Sequence, residues 1–334
     1  MDAVIPHRLP QTSDGPADPP RIAVVMVNWN GWQDTLTGYE SLAKSTYPAW
    51  ELIVVENGST DDSVTRLRGD RPRFHLVESP TNLGFAGACN VAVQAARERG
   101  ADYVYFLNND AAAEAGTLDT LAATSKSLDD AAVLGSVIRF SDDRSLQFWG
   151  SRQSKDGLPI WTPPSEERFA EAPALIESDF IMGASLFVPM PILDSVGPFD
   201  DRFFLNYEET DWCYRARAAG HRCLVVKDAL VVHQGGATIG PPQGPMQIYF
   251  MRRNVLLLAE KHCTPRQYAR LYVRQVLSIF SRLLRSMIGP GNDPRYSRTA
   301  SWANAVATRD YMFRRFGDCP PIIRARAAKH RASI

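Results

Sequence analysis

From residue 21 onward, short apolar runs alternate with stretches of helical length. RIAVVMVNWN is a continuous apolar run that stops in a polar turn, and WELIVVENGS repeats the form after a helix-like stretch at roughly 32–45. FHLVESP is a shorter third run, AGACNVAVQAARERG reads as a helix, and DYVYFLNND is a fourth strand. Runs without polar alternation belong to strands buried on both faces, and the helices between them supply the crossovers that parallel neighbours need. The pattern predicts an α/β fold built on a mostly parallel central sheet with flanking helices, of the kind that binds nucleotides.

After residue 140 the rhythm loosens. SDDRSLQFWGSRQSKDGLPIWTPPSEERFAEAPA is long and carries Pro and charge, which reads as a surface excursion able to act as a lid. Order returns in SDFIMGASLFVPMPILDSVGPFD, where two short strands, or a strand and a helix start, flank Gly183. FFLNYEETDWCYRARAAGHRCLVVKDALVVHQGG then reads as a loop, an acidic helix start, a helix to Ala219 and a strand ending at His233. From about 246 the chain is helical. TPRQYARLYVRQVLSIFSRLLRSMI opens with Thr264 as N-cap and Pro265 behind it, and mixes apolar residues with Arg266, Arg270, Arg274, Arg282 and Arg285. Two readings stand for it: a helix packed on the catalytic domain with a solvated arginine face, or a helix lying on an anionic membrane surface.

Composition narrows the class. With 334 residues, 45% hydrophobic, the chain can form one large α/β domain with an appendage, or two modest domains. Lys+Arg 37 balance Asp+Glu 37, so overall charge gives no reason to expect nucleic acid as a partner. Cys89, Cys213, Cys223, Cys263 and Cys319 are odd in number and form no CxxC pair, which fits unpaired thiols in a reducing compartment. The chain is therefore expected to be cytoplasmic. Residues 1–20, MDAVIPHRLPQTSDGPADPP, lack the layout of a signal peptide and read as a flexible arm. No run of 18 uncharged apolar residues occurs, so no membrane span is expected.

In open α/β sheets ligands collect beyond the carboxyl ends of the strands. Three strand ends here are polar in the same way, Asn28 to Asn30, Glu56 to Ser59 and Asn108 to Asp110, and are expected to line one edge. Asp110 suits a Mg²⁺ or Mn²⁺ ion, which uses one or two protein carboxylates with substrate phosphates; it equally suits the N-cap of a helix in AAAEAGTLDTLAATS. Glu208, Glu209 and Asp211 would be favoured at a helix N-terminus by the macrodipole, yet neighbouring like charges also raise a carboxyl pKa into the range of a general base. His233 closes its strand before QGG; it is a metal-ligand candidate only if Asp110 is near.

The order VVMVNWNG, IVVENGSTDDS, NLGFAGACNVA, YFLNNDA, MGASLFV, FFLNYEETDWCYRARAAG, VVHQGG and YFMRRN closely resembles family 2 glycosyltransferases of GT-A fold, within the subgroup that includes bacterial rhamnosyltransferases. The resemblance spans roughly residues 21–260. It implies a nucleotide-binding half at 21–140, an acceptor-binding half at 141–260 and a helical extension at 261–334. It assigns Glu56, with Asn57, to the nucleotide base, in place of the usual Asp. The backbone around Asn28 and the loop from Asn82 through Gly84 complete the cradle. Asn109 and Asp110 match the end of the DxD motif, whose first acid is here Asn108, and His233 matches a second protein ligand to the metal. Glu209 aligns with the general base, again with Glu for Asp, and Glu208 or Asp211 is the alternative at that position. The pair Arg253–Asn254, after Arg252, resembles a helix that closes over the site with an arginine on the diphosphate, and Gly183 with Ala184 marks the floor under the sugar.

The resemblance thus implies inverting sugar transfer. The donor would be dTDP-L-rhamnose, or else a UDP-sugar, with Mn²⁺ or Mg²⁺ as cofactor. The acceptor would be a glycan or lipid-linked glycan in cell-surface polysaccharide synthesis; the basic helix after residue 264 suggests a lipid-linked one, with peripheral contact at the inner face of the plasma membrane, and a soluble acceptor is the alternative. A dinucleotide enzyme is not expected, since NWNGW stands where GxGxxG belongs. The non-catalytic alternative is an inactive sugar-nucleotide or glycan-binding protein, prompted by Asn108 and the two Glu-for-Asp replacements.

Overall fold

The first apolar run forms Ile22–Asn28 (β1) and the second Trp50–Asn57 (β2), paired in parallel with Asn28 beside Glu56. Trp32–Leu42 (α1) crosses between them. A computed structural model describes residues 18–69, 73–235, 244–288 and 298–331, so nearly all of the expected arm at 1–20 lies outside the described residues. Ser63–Gly69 (α2), a short helix the pattern does not predict, leads toward His75–Ser79 (β3). Gly84–Glu98 (α3) then crosses to Tyr103–Leu107 (β4), parallel to β1 and buried at every position, as its lack of alternation requires.

Beyond β4 come Ala111–Ala113 (β5), Thr117–Ser127 (α4), Ala132–Phe140 (β6) and Leu146–Phe148 (β7). The expected surface excursion is instead built structure. Ser151–Gln153 (β8) and Pro159–Trp161 (β9) pair as a small hairpin, Glu166–Ala170 (α5) follows, and Leu175–Ser178 (β10) joins the main sheet against the later strand β12. Three-residue strands are too short to show a period, which is why the sequence conceals them. Ser185–Pro189 (β11), Met190–Val196 (α6), Glu208–Ala218 (α7) and Arg222–His233 (β12) complete the sheet in the order β10-β12-β6-β11-β4-β1-β2-β3. Along that path β10 and β11 run against the other six strands, so the sheet is mostly parallel.

Pro245–His262 (α8), Pro265–Ile288 (α9), Arg298–Met312 (α10) and Pro321–Arg331 (α11) form the C-terminal part. Thr264 and Gln267 make a reciprocal cap at the start of α9: the Thr264 N–H donates to Gln267 Oε1 at 2.8 Å and the Gln267 N–H to Thr264 Oγ1 at 3.4 Å. A second small core gathers Met246, Phe250, Val306, Ile323 and, from the loop before α7, Phe204, whose ring stacks on Phe250 at 5.5 Å. The extension is thus packed onto the sheet domain through the loop that carries the acidic cluster. Among the described residues no helix is long and apolar enough to cross a membrane.

Candidate active site

β4 runs into Asn108, Asn109 and Asp110 and then into β5, which pairs antiparallel with the end of β12 and sets Ala111 opposite His233. That register brings the neighbouring Asp110 to the histidine: Asp110 Oδ1 lies 3.2 Å from His233 Nε2. The helix α4 begins only at Thr117, with Gly116 in the cap position, so Asp110 caps no helix. His233 Nδ1 is 2.9 Å from Gln147 Oε1, an acceptor only, which fixes the proton on Nδ1. In the neutral ring Nε2 presents its lone pair to the Asn108 amide, 3.3 Å away, and to the Asp110 carboxylate. Two lone-pair groups so close repel unless a proton or cation lies between them. Asp34, in the first turn of α1, is near enough that, besides burial, the charge of Asp110 raises its carboxyl pKa. Among the described residues no group of three or more His, Cys, Asp or Glu is arranged to hold a metal, so a cation here would have Asp110 and His233 as its protein ligands.

The other polar strand ends are used differently. Asn28 is enclosed, accepting from Thr35 Oγ1 at 3.0 Å and donating to Ser59 Oγ at 3.3 Å. Glu56, buried, accepts the Ser59 N–H at 2.9 Å. Asn57 accepts from the Leu83 N–H at 2.9 Å, and its amide donates to Asn82 Oδ1 and to the Gly84 carbonyl at 3.2 and 3.1 Å. Asn82 also accepts the Gly84 N–H at 2.8 Å, and the Asn109 amide donates to the Gly31 carbonyl at 3.3 Å. These side chains satisfy backbone groups left unpaired where strands end. The side chains of Asn28, Asn57, Asn82 and Asn109 hold in shape the turns whose backbone is expected to cradle a nucleotide. Glu56 would have to release Ser59 before it could meet a base.

Gly84 is likewise a packing residue. At φ +72° its missing Cβ would fall 2.3 Å from the Phe204 carbonyl oxygen, which accepts the Phe85 N–H at 2.6 Å. The glycine lets the loop after β3 touch the loop before α7. At Gly183 a Cβ would lie an ordinary 3.5 Å from Phe85 and 3.6 Å from Glu209, so the floor there does not demand glycine. Ala184 is buried, and its carbonyl accepts the Asn108 N–H at 3.3 Å. Gly183 and Ala184 therefore adjoin both Glu209 and the turn that begins at Asn108.

The three acids of α7 occupy three environments. Asp211 is fully enclosed, 2.7 Å from both Lys261 Nζ and His262 Nε2 and 3.1 Å from Arg215 Nε. Burial raises its carboxyl pKa, but these partners outweigh burial and hold it below the ordinary range. Asp211 is corrected from a catalytic candidate to an ion-pair anchor. Glu208 is buried, and burial, then the charge of Glu209, pushes its carboxyl well above the ordinary range. Glu209 is pushed up to about 7 by burial, against opposing backbone hydrogen bonds at the helix start. Among the described residues, Glu208 Oε2, Glu209 Oε2 and Asn206 Nδ2 are enclosed without a hydrogen-bond partner, three such atoms within four residues.

The loop ahead of these acids is strained. Phe204, Asn206 and Tyr207 have φ of 64°, 68° and 74°, a region that side chains other than glycine rarely adopt. The Asn254 amide holds it by donating to the carbonyls of Phe203, Leu205 and Asn206 at 2.8, 2.8 and 2.9 Å. Arg253 is completely buried and donates to the carbonyls of Phe203 at 2.9 Å and Gly317 at 2.5 Å. The expected arginine on the diphosphate is therefore not Arg253, which ties the loop to the C-terminal part. Asn254→Ala removes three hydrogen bonds from a strained loop; about 2–3 kcal/mol of stability should be lost, checked by denaturant unfolding.

Gln147 and Asp34 escape sequence reasoning. Gln147 carries no motif, lying on a three-residue strand. Asp34 had a signal, an acid in the first helical turn after a ligand-edge strand.

Residues 23–187 match the family described as Glycosyl transferase family 2. The chain is 24% identical over 243 residues to a dTDP-rhamnosyl transferase, RfbF, of Shigella flexneri, covering 71% of this chain and 78% of the relative. It is 24% identical over 245 residues to an N-acetylglucosaminyl-diphospho-decaprenol L-rhamnosyltransferase of Mycobacterium tuberculosis, covering 66% and 78%. Among solved structures, GalNAc-T7 with UDP, GalNAc and Mn²⁺ superposes with a TM-score of 0.56 at 13% identity, over 79% of this chain and 58% of that one. The mannosyltransferase PcManGT of Pyrobaculum calidifontis with GDP-Man and Mn²⁺ gives 0.51 at 17% identity, over 89% and 87%. These likenesses identify the fold as GT-A. By its motifs, fold and matched residues, the chain carries a glycosyltransferase family 2 domain at residues 23–187 and is a sugar-transferring enzyme.

Proposed function

We propose that the enzyme moves a sugar, with inversion, from a nucleoside diphosphate to a hydroxyl of a glycan or lipid-linked glycan. The observations that support the reading are the approach of Asp110 to His233 and the position of Gly183 and Ala184, which adjoin both Glu209 and the turn that begins at Asn108. Asp110 and His233 would hold a divalent cation, which would leave the ion free to act on the donor diphosphate. A mixed imidazole and carboxylate set favours Mn²⁺ over Mg²⁺. When bound, such an ion neutralises charge developing on the departing diphosphate.

Glu209 then acts on the acceptor. Its carboxylate takes the hydroxyl proton as that oxygen bonds to the anomeric carbon, while the bond from that carbon to the diphosphate oxygen breaks. Attack opposite the leaving group inverts the centre. Burial, then the charge of Glu209, pushes the Glu208 carboxyl up and so favours its neutral form, which leaves Glu209 as the base of this reading. The names of the rhamnosyltransferase relatives favour dTDP-L-rhamnose as donor, with UDP-sugars next, and the mycobacterial relative favours a lipid diphosphate acceptor.

Thermal unfolding in the presence of Mn²⁺ and a panel of nucleotide sugars tests the donor. A ligand at 100 times its Kd adds about 2.7 kcal/mol to stability, so a dTDP- or UDP-sugar should raise Tm by several degrees, and only with the metal present. Detection of released nucleoside diphosphate with the stabilising sugar separates an enzyme from an inactive binding protein. A panel with no stabilising member and no release would overturn the reading.

A further inference from the structure

The helix α9 is amphipathic in an unusual sense: both of its faces are partly apolar. Its inner face is used by the fold. Leu271 is buried, the Tyr268 and Tyr311 hydroxyls are 2.8 Å apart, and the Gln275 amide donates to Thr308 Oγ1 at 3.0 Å. At 100° per residue the opposite face carries Val273, Leu277 and Phe280, which are 53%, 60% and 66% exposed. Spaced by four and three residues, they form one continuous apolar stripe. Arg266, Arg270 and Arg274 lie beside it, all exposed, and no Asp or Glu occurs between Thr264 and Ile288. Arg270 is 3.6 Å from Asp156, with side chains 72% and 47% exposed, a pairing too solvated to neutralise the face.

We propose that this face docks the enzyme on an anionic lipid bilayer. Val273, Leu277 and Phe280 enter the boundary between headgroups and acyl chains, and the arginines extend along the stripe to the phosphate level. Charge decides between this occupant and a second copy of the chain. A two-fold contact through the same face would bring two basic helices together with no acid on either to answer the arginines, whereas anionic headgroups meet all three at once. The surface lies on α9, apart from Asp110, His233 and Glu209, so vesicle binding and sugar transfer can each fail without the other.

Co-sedimentation of the full chain with phosphatidylcholine vesicles, with and without about 30% phosphatidylglycerol, tests the proposal. The protein should pellet with anionic vesicles only, and should be released by several hundred millimolar salt. Arg266→Gln, Arg270→Gln and Arg274→Gln together should weaken partitioning about 100-fold, and Leu277→Glu with Phe280→Glu at least about tenfold. All five positions are exposed, so the variants should keep the parent melting temperature, which is measured alongside. Absence of binding to anionic vesicles, or binding that ignores both lipid charge and these variants, would overturn the proposal. So would a dimer in sedimentation velocity that Leu277→Glu dissolves, with no vesicle binding, which would give the face to a second copy.

Discussion

Glu209→Gln should lower turnover by about 10²-fold or more while leaving affinity for the nucleotide sugar nearly intact. Gln keeps the size and hydrogen-bonding reach of Glu but cannot take a proton, so it removes the base and leaves packing against Gly183 in place. Steady-state kinetics with the donor found by thermal shift measures both quantities. The pH dependence supplies a second readout. Burial raises the Glu209 carboxyl to about 7, and a base works only when ionised, so kcat should climb as pH rises through about 7, and the variant should lack that limb. Stability runs the other way. A carboxyl whose pKa is raised in the folded state binds its proton more tightly there than in the unfolded chain. Its contribution to stability is therefore present below the unfolded value of 4.5 and is lost as pH rises through about 7. Full turnover in the variant would remove Glu209 from the chemistry and return it to a helix start favoured by the macrodipole.

The physical reason for keeping such an awkward group is visible in its surroundings. The Asn254 amide and the Arg253 guanidinium hold a loop with three side-chain-bearing residues at positive φ, and that loop delivers Glu208 and Glu209 to an enclosed position. In the proposed reaction, strain and desolvation together place one carboxylate where an incoming hydroxyl would give up its proton.

The strands of the first half were legible because burial on both faces leaves an unbroken apolar run, as in Tyr103–Leu107. The tendency of strand ends to gather was legible too, since polar residues at the ends of β1, β2 and β4 repeat one form. What those residues do there was not. Asn28, Asn57 and Asn109 serve backbone groups of neighbouring turns, partners that only the register of the sheet brings near. The three acids of α7 looked equivalent along the chain. They separate in space because Lys261 and His262, about fifty residues later, reach Asp211, while burial dominates at Glu208 and Glu209. Arg253 was misassigned for the same reason, its carbonyl partners lying at Phe203 and Gly317.

The transfer reading depends most on the meeting of Asp110 and His233, which the short pairing of β5 with β12 produces. Asp110→Ala deletes the pair's carboxylate and leaves His233 with Gln147 behind it, so the cation should lose its anchor and the diphosphate its bridge to the protein. The fold should survive, because Asp110 caps no helix and its backbone carbonyl still accepts the Gln234 N–H. Titration calorimetry of the nucleoside diphosphate, with and without Mn²⁺, on the parent and on Asp110→Ala is the most direct test. The account predicts binding that tightens with Mn²⁺ in the parent and does not respond to Mn²⁺ in the variant. An equal response to Mn²⁺ in both proteins would contradict it.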